Sequence, residues 1–582
     1  MAKYTSFDDI LNIHTELHTT FRSGKTKPYA WRHHQLLQLA RFAQDNAAAL
    51  AECLRLDLGR AKQEVLMGDV IPVISRSLLA AEQLEAWMAP EKVQLCAPWE
   101  EGYSASVERH PKGVVLIISP WNFPIILSLQ PLYTAIAAGC CALIKPSELS
   151  HHTSSFLAQT LHKYIDPSAY RVVLGGIPET TMVLELKWDH ICYTGNARVA
   201  RIVSAAAAKH LTPLTLELGG KSPVIIDATV SSSTTTTTTT TTSSSSSSNT
   251  TSPSPSSSPP RSSSPSPPPS PKNPPKNPPK NPPKTSPPPS PITLPLAARR
   301  ILLGKTLNAG QICIAPDYIL APRAIIPELV RALREAYTAF YPLRPSRGAA
   351  NVGVGEGGGG EEQGEEEGEE GGGEGGALKT DSLGSIISDT HFERLKALLR
   401  ATRGTIVLGG NWDGKTRWME PTVVVDVEEG DVLLDEEIFG PILPIVAVDS
   451  MDDAIAFVNR REHPLVSYIF SNDEEFKRKF ISSTTSGSVW IGDTFQQVGV
   501  SQVPFGGIGE SGHGRQSMKA GFDEFTYARG VVDIPPESEP FLAGRYPPYT
   551  AESTGRFEGI VRGFVIPPSS AAAASSTPTS SS

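Results

Sequence analysis

Cysteine is scarce in this chain. The six present (Cys53, Cys96, Cys140, Cys141, Cys192 and Cys313) are scattered over 582 residues, with no CxxC pair and no Cys/His spacing suited to zinc. A disulfide framework and a structural metal are therefore not expected. Long apolar runs are missing as well: nothing approaches the roughly eighteen unbroken apolar residues of a membrane helix. The opening MAKYTSFDDILNIH lacks the charged-then-apolar order of a secretion signal. A cytoplasmic location is expected, with peripheral membrane association as the alternative. There is no basic stripe either. The formal charge is -9, but nine glutamates crowd between Glu356 and Glu374, and five cations (Arg261, Lys272, Lys276, Lys280 and Lys284) sit in another biased tract. Setting both tracts aside leaves about -5, which argues against a nucleic-acid partner.

Two tracts cannot contribute to a packed core. Residues 231–291 are Ser/Thr/Pro-rich with a Thr homopolymer and a repeated Lys-Asn-Pro-Pro unit, and residues 353–376 are almost wholly Gly and Glu. Proline removes backbone donors and the hydroxyl residues bury little, so both are predicted to be disordered inserts. The Ser/Ala-rich tail over 549–582 is predicted to be disordered too.

Between these tracts the pattern is that of an α/β protein. Amphipathic helices are predicted between Trp31 and Met88. They are followed by an apolar run at Gly113–Ser119, a helical stretch over Pro124–Ala138 and a second run at Cys141–Lys145, which is a βαβ unit. Runs at Arg171–Leu174 and His190–Thr194, then an Ala-rich helix over Ala197–Ala208, continue the alternation. A doubly wound parallel sheet follows, with ligands expected beyond the carboxyl ends of its strands.

Polar residues fall at those ends. Asn122, in SPWNFP, follows the first strand, and locally it reads best as a helix N-cap. Lys145 closes the second strand with Glu148 three residues on, a place for a cofactor phosphate or ribose or for a solvated pair. Gly195 and Asn196 open the Ala-rich helix, whose free amides suit an anion. Glu217 alternates with leucines in LTLELGGK, which reads locally as an exposed carboxylate on a half-buried strand, while Gly219 and Gly220 allow close approach. Cys313 lies in NAGQICIAPDY between a helical stretch (Leu296–Leu307) and an extended one near Tyr318. That leaves two readings open, a small buried residue or a reactive loop thiol. Gly507–Gly512 fits a G-x-G-x-x-G pattern, but too little chain follows it for the further βαβ units a dinucleotide sheet needs.

Taken together, SPWNFP, KPSE, YTGN, LTLELGGKSP, NAGQICIAPDY, EEIFGPILPI and PFGGIGESG, in this order, resemble the aldehyde dehydrogenase superfamily, most nearly its class 3, fatty-aldehyde branch with the fungal β-apo-4'-carotenal oxygenases. The likeness runs from about Ser23 to about Pro548. Excising residues 231–291 would shorten the separation of Glu217 and Cys313 from 96 residues to about 35, the compact spacing of that family. The resemblance implies an NAD(P)-binding domain over 1–217 with bridging strands at 97–112, a catalytic domain over 218–510, an oligomerisation segment over 511–548, and a homodimer. It implies oxidation of a fatty, aromatic or apocarotenoid aldehyde with NAD or NADP. Cys313 is then the nucleophile, Glu217 the general base and Asn122 an oxyanion donor. Lys145, Glu148, Gly195, Asn196, Glu437 and Phe439 are the cofactor contacts. A thiol is a few per cent ionised at neutral pH, so the site is expected to assist its deprotonation. Ala200 stands where relatives usually have Gly and Leu303 where class 3 members often carry Trp, so pocket shape is not transferable. Two rivals remain: a catalytically silent interaction protein using its low-complexity arms, and thioester transfer to phosphate or coenzyme A instead of water.

Overall fold

In a computed structural model the described residues are 3–97, 100–230, 290–342 and 382–566. The tract predicted disordered over 353–376, and all but the last two residues of that over 231–291, lie outside them. In chain order the strands are β1 (Glu91–Lys92), β2 (Ser104–Pro111), β3 (Val114–Ile118), β4 (Cys141–Lys145), β5 (Tyr170–Val172), β6 (His190–Thr194), β7 (Leu214–Glu217), β8 (Pro223–Ile226), β9 (Tyr318–Pro322), β10 (Thr405–Leu408), β11 (Trp412–Asp413), β12 (Trp418–Met419), β13 (Thr422–Val425), β14 (Ile442–Val448), β15 (Val466–Phe470), β16 (Ser488–Ile491), β17 (Gly512–His513) and β18 (Thr526–Asp533). Helices α1 to α10 are Phe7–Arg22, Tyr29–Asp45, Ala47–Leu58, Lys62–Val65, Ile71–Met88, Ile126–Ala138, His151–Thr160, Ile177–Glu185, Ala197–Ala208 and Leu294–Thr306.

One sheet runs β17-β7-β6-β3-β4-β5. Strands β3 to β7 are parallel, and β17 closes the edge antiparallel to β7. Strands β3, β4 and β6 are buried along their whole length, as helices on both faces of a parallel sheet require. The chain leaves β3 for β4 and β5 on one side and returns to β6 and β7 on the other, so the strand order reverses at β3, where such sheets take their ligands. A second sheet, β10-β13-β14-β9-β8-β15-β16, is parallel except at β10. A small antiparallel sheet, β1-β2-β18, projects from the two. This is the expected doubly wound cofactor domain joined to an α/β domain, with a small arm.

Three local expectations change. Helix α6 starts at Ile126 and its first amide is capped by Asp69, which accepts from Ile126 N at 3.1 Å, so Asn122 is not its N-cap. Glu217 is buried, not exposed, because the second domain covers the end of β7. Residues 551–563 of the supposed disordered tail form a helix: Thr550 caps it, accepting from Ser553 N at 3.1 Å, and Glu552–Arg556 and Glu558–Arg562 pair along it. As expected, Gly507–Gly512 is no phosphate loop, since it ends in a short 3₁₀ turn and β17, where Gly512 sits opposite Glu217.

Asn472 draws together the two flanks of the long insert. Its side-chain amide donates to Thr229 O (3.0 Å) and Ile292 O (2.9 Å), and its oxygen accepts from Ile292 N (2.7 Å).

Candidate active site

The residues singled out at the strand ends of the first sheet converge on one crevice with a loop of the second domain. Glu217 is the last residue of β7, opposite Thr194 at the end of β6. Cys313 follows α10 through a short 3₁₀ turn over Leu307–Gly310. Gly310 has φ +75°, and a Cβ there would lie 2.3 Å from the Gly440 carbonyl oxygen, so only glycine lets the turn close. The loop is fastened beyond the thiol as well: Tyr468 Oη donates to Ile314 O at 2.6 Å, and Asp317 N to Ser222 O at 2.8 Å. These ties bring Cys313 Sγ to 3.6 Å from Glu217 Oε1 across 96 residues of sequence.

Electrostatics set the protonation states. Burial pushes the Glu217 carboxyl up to about 7, tempered by the Cys313 thiol and the Thr194 hydroxyl, and its Oε2 has no hydrogen-bond partner among the described residues. Burial, then the Glu217 and Glu437 carboxylates, hold the Cys313 thiol well above its usual range. Contrary to expectation, these surroundings do not lower the thiol's pKa: among the described residues no cation lies against the sulfur, and its neighbour is the Glu217 carboxyl.

Asn122 is buried in the turn after β3, and its Nδ2 donates to Gln311 O at 3.1 Å, two residues before the cysteine. Its carbonyl accepts from Asn308 Nδ2 at 3.0 Å. The neighbouring Trp121 meets Phe439 edge-on at 5.5 Å between ring centroids, which puts Phe439 at the same crevice. Glu437 packs on Gly219, where a Cβ would lie 2.2 Å from its Oε2. Burial and the nearby Asp317 push Glu437 up to about 8.

The remaining strand-end residues lie along the first sheet. Lys145 is buried at the end of β4 and donates to Pro146 O (3.1 Å) and Glu148 Oε2 (3.0 Å). Gly195 N donates to Glu217 O at 3.1 Å. Asn196 is the N-cap of α9, its Oδ1 accepting from Val199 N at 3.0 Å, so its side chain already satisfies one of the helix's free amides.

Sequence reasoning passed over the ionic knot beneath Glu437. Lys221 pairs with Asp317 and donates to Leu433 O (2.9 Å) and Glu436 O (2.8 Å), while the buried Lys305 approaches Asp317 at 3.9 Å. Lys221 and Asp317 fall inside two of the strings quoted above. Their partnership had no sequence signal because they are 96 residues apart.

The aldehyde dehydrogenase family model matches residues 6–249 and 292–531. Aldehyde dehydrogenase family 3 member B1 of Bos taurus is 36% identical over 92% of this chain and 93% of its own length. The dimeric NADP-preferring aldehyde dehydrogenase of Canis lupus familiaris is 34% identical over 92% and 96%. Among solved structures, the substrate-bound state of Staphylococcus aureus AldH superposes with a TM-score of 0.75 at 29% identity, covering 95% of this chain and 99% of that one. With the family model matched along most of its length and a half-buried cysteine against a buried glutamate at the meeting of its two sheets, the chain belongs to the aldehyde dehydrogenase family.

Proposed function

We propose that this aldehyde dehydrogenase oxidises an apolar aldehyde (fatty, aromatic or apocarotenoid) to its acid, with Cys313 as nucleophile, Glu217 as general base and Asn122 as oxyanion donor. The observation that carries this is the 3.6 Å contact of Cys313 Sγ with Glu217 Oε1. Glu217 takes the thiol proton, and the thiolate sulfur bonds to the aldehyde carbon, leaving a thiohemiacetal oxyanion. Asn122 Nδ2, now on Gln311 O, turns to that oxygen beside the Cys313 amide; one such donor is worth about 3 kcal/mol in the transition state. NAD or NADP, when bound, accepts the hydride from the thiohemiacetal carbon. Cys313 then carries a thioester. Having released its first proton, Glu217 takes one from the attacking water, the C–S bond breaks, and acid and free Cys313 result. A base whose pKa lies near 7 suits both steps at neutral pH.

The side chains fit a nicotinamide dinucleotide. Lys145 keeps one donor beyond its two bonds, and Glu148 beside it is an acceptor, the pair that a ribose diol needs. Glu437 and Phe439 line the crevice on the Cys313 side, where the nicotinamide ribose and ring belong, and Gly195 and Asn196 open α9 toward the pyrophosphate. A homodimer is proposed through the small sheet. Its edge strand β18 is exposed from Tyr527 to Asp533, and a relative at 34% identity is named dimeric. The domain limits given above are retained as proposals, with β17 carried back from the C-terminal segment into the cofactor sheet. Among the described residues, no helix is long and apolar enough to cross a membrane.

The test is a panel of aldehydes assayed with each cofactor, with product analysis in the presence of phosphate and coenzyme A. Oxidation of long apolar aldehydes to free acid is expected. Acyl phosphate or acyl-CoA as the main product would refute hydrolysis, and a panel without turnover would favour the silent interaction protein.

A further inference from the structure

The turn before Cys313 is held from outside the crevice by charges that take no part in the steps above. Asn308 and Ala309 both have left-handed backbones, with φ 49° and 52°, a conformation that non-glycine residues keep only when their surroundings impose it. Four hydrogen bonds do so. Asn308 Nδ2 donates to Asn122 O (3.0 Å) and Gln311 O (3.1 Å), Gln311 Nε2 donates to Asn308 O (2.9 Å), and the Asn308 backbone N–H donates to Glu64 Oε2 (3.0 Å). Glu64 comes from α4, 244 residues earlier in the chain. Arg60 approaches Glu64 at 3.8 Å and pairs with Asp69 at 2.8 Å, and all three side chains are buried or nearly so. Asp69 belongs to a π-helical turn, Leu66–Val70, a distortion that recurs at functional sites. From this knot Asp69 caps α6, and the Arg60 guanidinium lies 4.1 Å from the ring centroid of Phe123, the residue after Asn122.

One buried triad therefore has two arms. The Asp69 and Arg60 arm fixes the chain just after Asn122, at Phe123 and Ile126, and the Glu64 arm fixes the turn that presents Cys313. They meet where Asn122 Nδ2 donates to Gln311 O. We propose that Glu64 is a positioning residue for the acylation step: through Asn308 it sets the spacing between the Asn122 amide and the Cys313 loop, with Arg60 and Asp69 as its anchor. This rests on the roles assigned to Cys313 and Asn122 above. Misplacing reacting groups by about 1 Å costs about a hundredfold in rate, so a distant hydrogen bond is enough to matter.

The test uses the full chain and single-turnover formation of reduced cofactor, which reports acylation rate and active-site number separately. Glu64→Ala is expected to slow the burst about ten- to a hundredfold, with the amplitude per folded subunit and the cofactor Kd unchanged. Glu64→Gln, which keeps an acceptor for Asn308 N–H, is expected to stay within about threefold of wild type. Adding Asn122→Ala to Glu64→Ala is expected to cost less than the product of the two single losses, because both act on one interaction. If Glu64→Ala does not fold, Glu64→Asp replaces it, since its shorter side chain falls back from Asn308 and should be slowed where Gln is not. A wild-type burst rate in Glu64→Ala, a rate loss matched by lost amplitude, fully multiplicative losses, or Asp and Gln variants of equal rate would each overturn the proposal. Failure of the underlying assignment reads out differently, as turnover that survives in Cys313→Ala.

Discussion

Replacing Glu217 with glutamine should weaken catalysis and strengthen the fold, each with its own pH dependence. The carboxyl is buried with one oxygen unpartnered and is pushed from 4.5 to about 7 in the folded chain. Below pH 4.5 it is protonated in both folded and unfolded states and has no effect. Between 4.5 and 7 the unfolded chain releases the proton while the folded chain retains it, so stability falls as pH rises, and above 7 the loss levels off. Integrating that difference gives a cost of about 1 kcal/mol at pH 5 and about 3 kcal/mol at pH 8. The glutamine amide does not titrate, so the thermal stability of Glu217→Gln should exceed that of wild type clearly at about pH 8 and only slightly at about pH 5. In stopped-flow the same variant, lacking the acceptor of the thiol proton as well as that of the water, should give one burst of reduced cofactor slower than that of wild type and then stall, with thioester hydrolysis slowed about a hundred- to ten-thousandfold. A stability difference independent of pH, or steady turnover at the wild-type rate, would refute the reading of Glu217 as a strained, buried base.

Other outcomes follow from the same geometry. Asn122→Ala should slow acylation about a hundredfold or more while leaving cofactor affinity alone, as measured by burst rate and by cofactor titration. Glu148→Gln should raise kcat/KM with NADP relative to NAD, since it removes a negative charge beside the ribose position of Lys145; an unchanged ratio would place the ribose elsewhere. Glu437→Gln should raise the KM for cofactor more than that for aldehyde in steady-state assays. Excising residues 231–290 with a short linker should leave kcat within about twofold, because Asn472 already holds the flanking strand and helix together and loop length has a weak effect on closure. Collapse of activity on excision would show the tract to be more than an insertion.

Much of this was legible in the sequence because local pattern and burial agree. β4, β6 and α9 fall on the residues their apolar runs and Ala-rich stretch marked, since parallel strands buried on both faces leave continuous apolar runs. The errors arose where a distant segment takes over a local role. Asn122 reads as a cap until Asp69, 53 residues earlier, takes that place. Glu217 reads as a solvated strand residue until the Cys313 loop and β17 cover it. Glu64 shows no local sign of its contact with Asn308 at all. In each case the missing information was a long-range contact, which periodicity cannot carry, and only the ordered family strings placed Cys313 and Glu217 together.

The most direct test is to trap the acyl group. Glu217→Gln protein, mixed with aldehyde and oxidised cofactor, quenched and digested, should yield a single peptide heavier by the acyl residue, with the modification on Cys313 and the other five cysteines unmodified. An adduct on another residue, or none while the burst of reduced cofactor persists, would contradict covalent catalysis through Cys313.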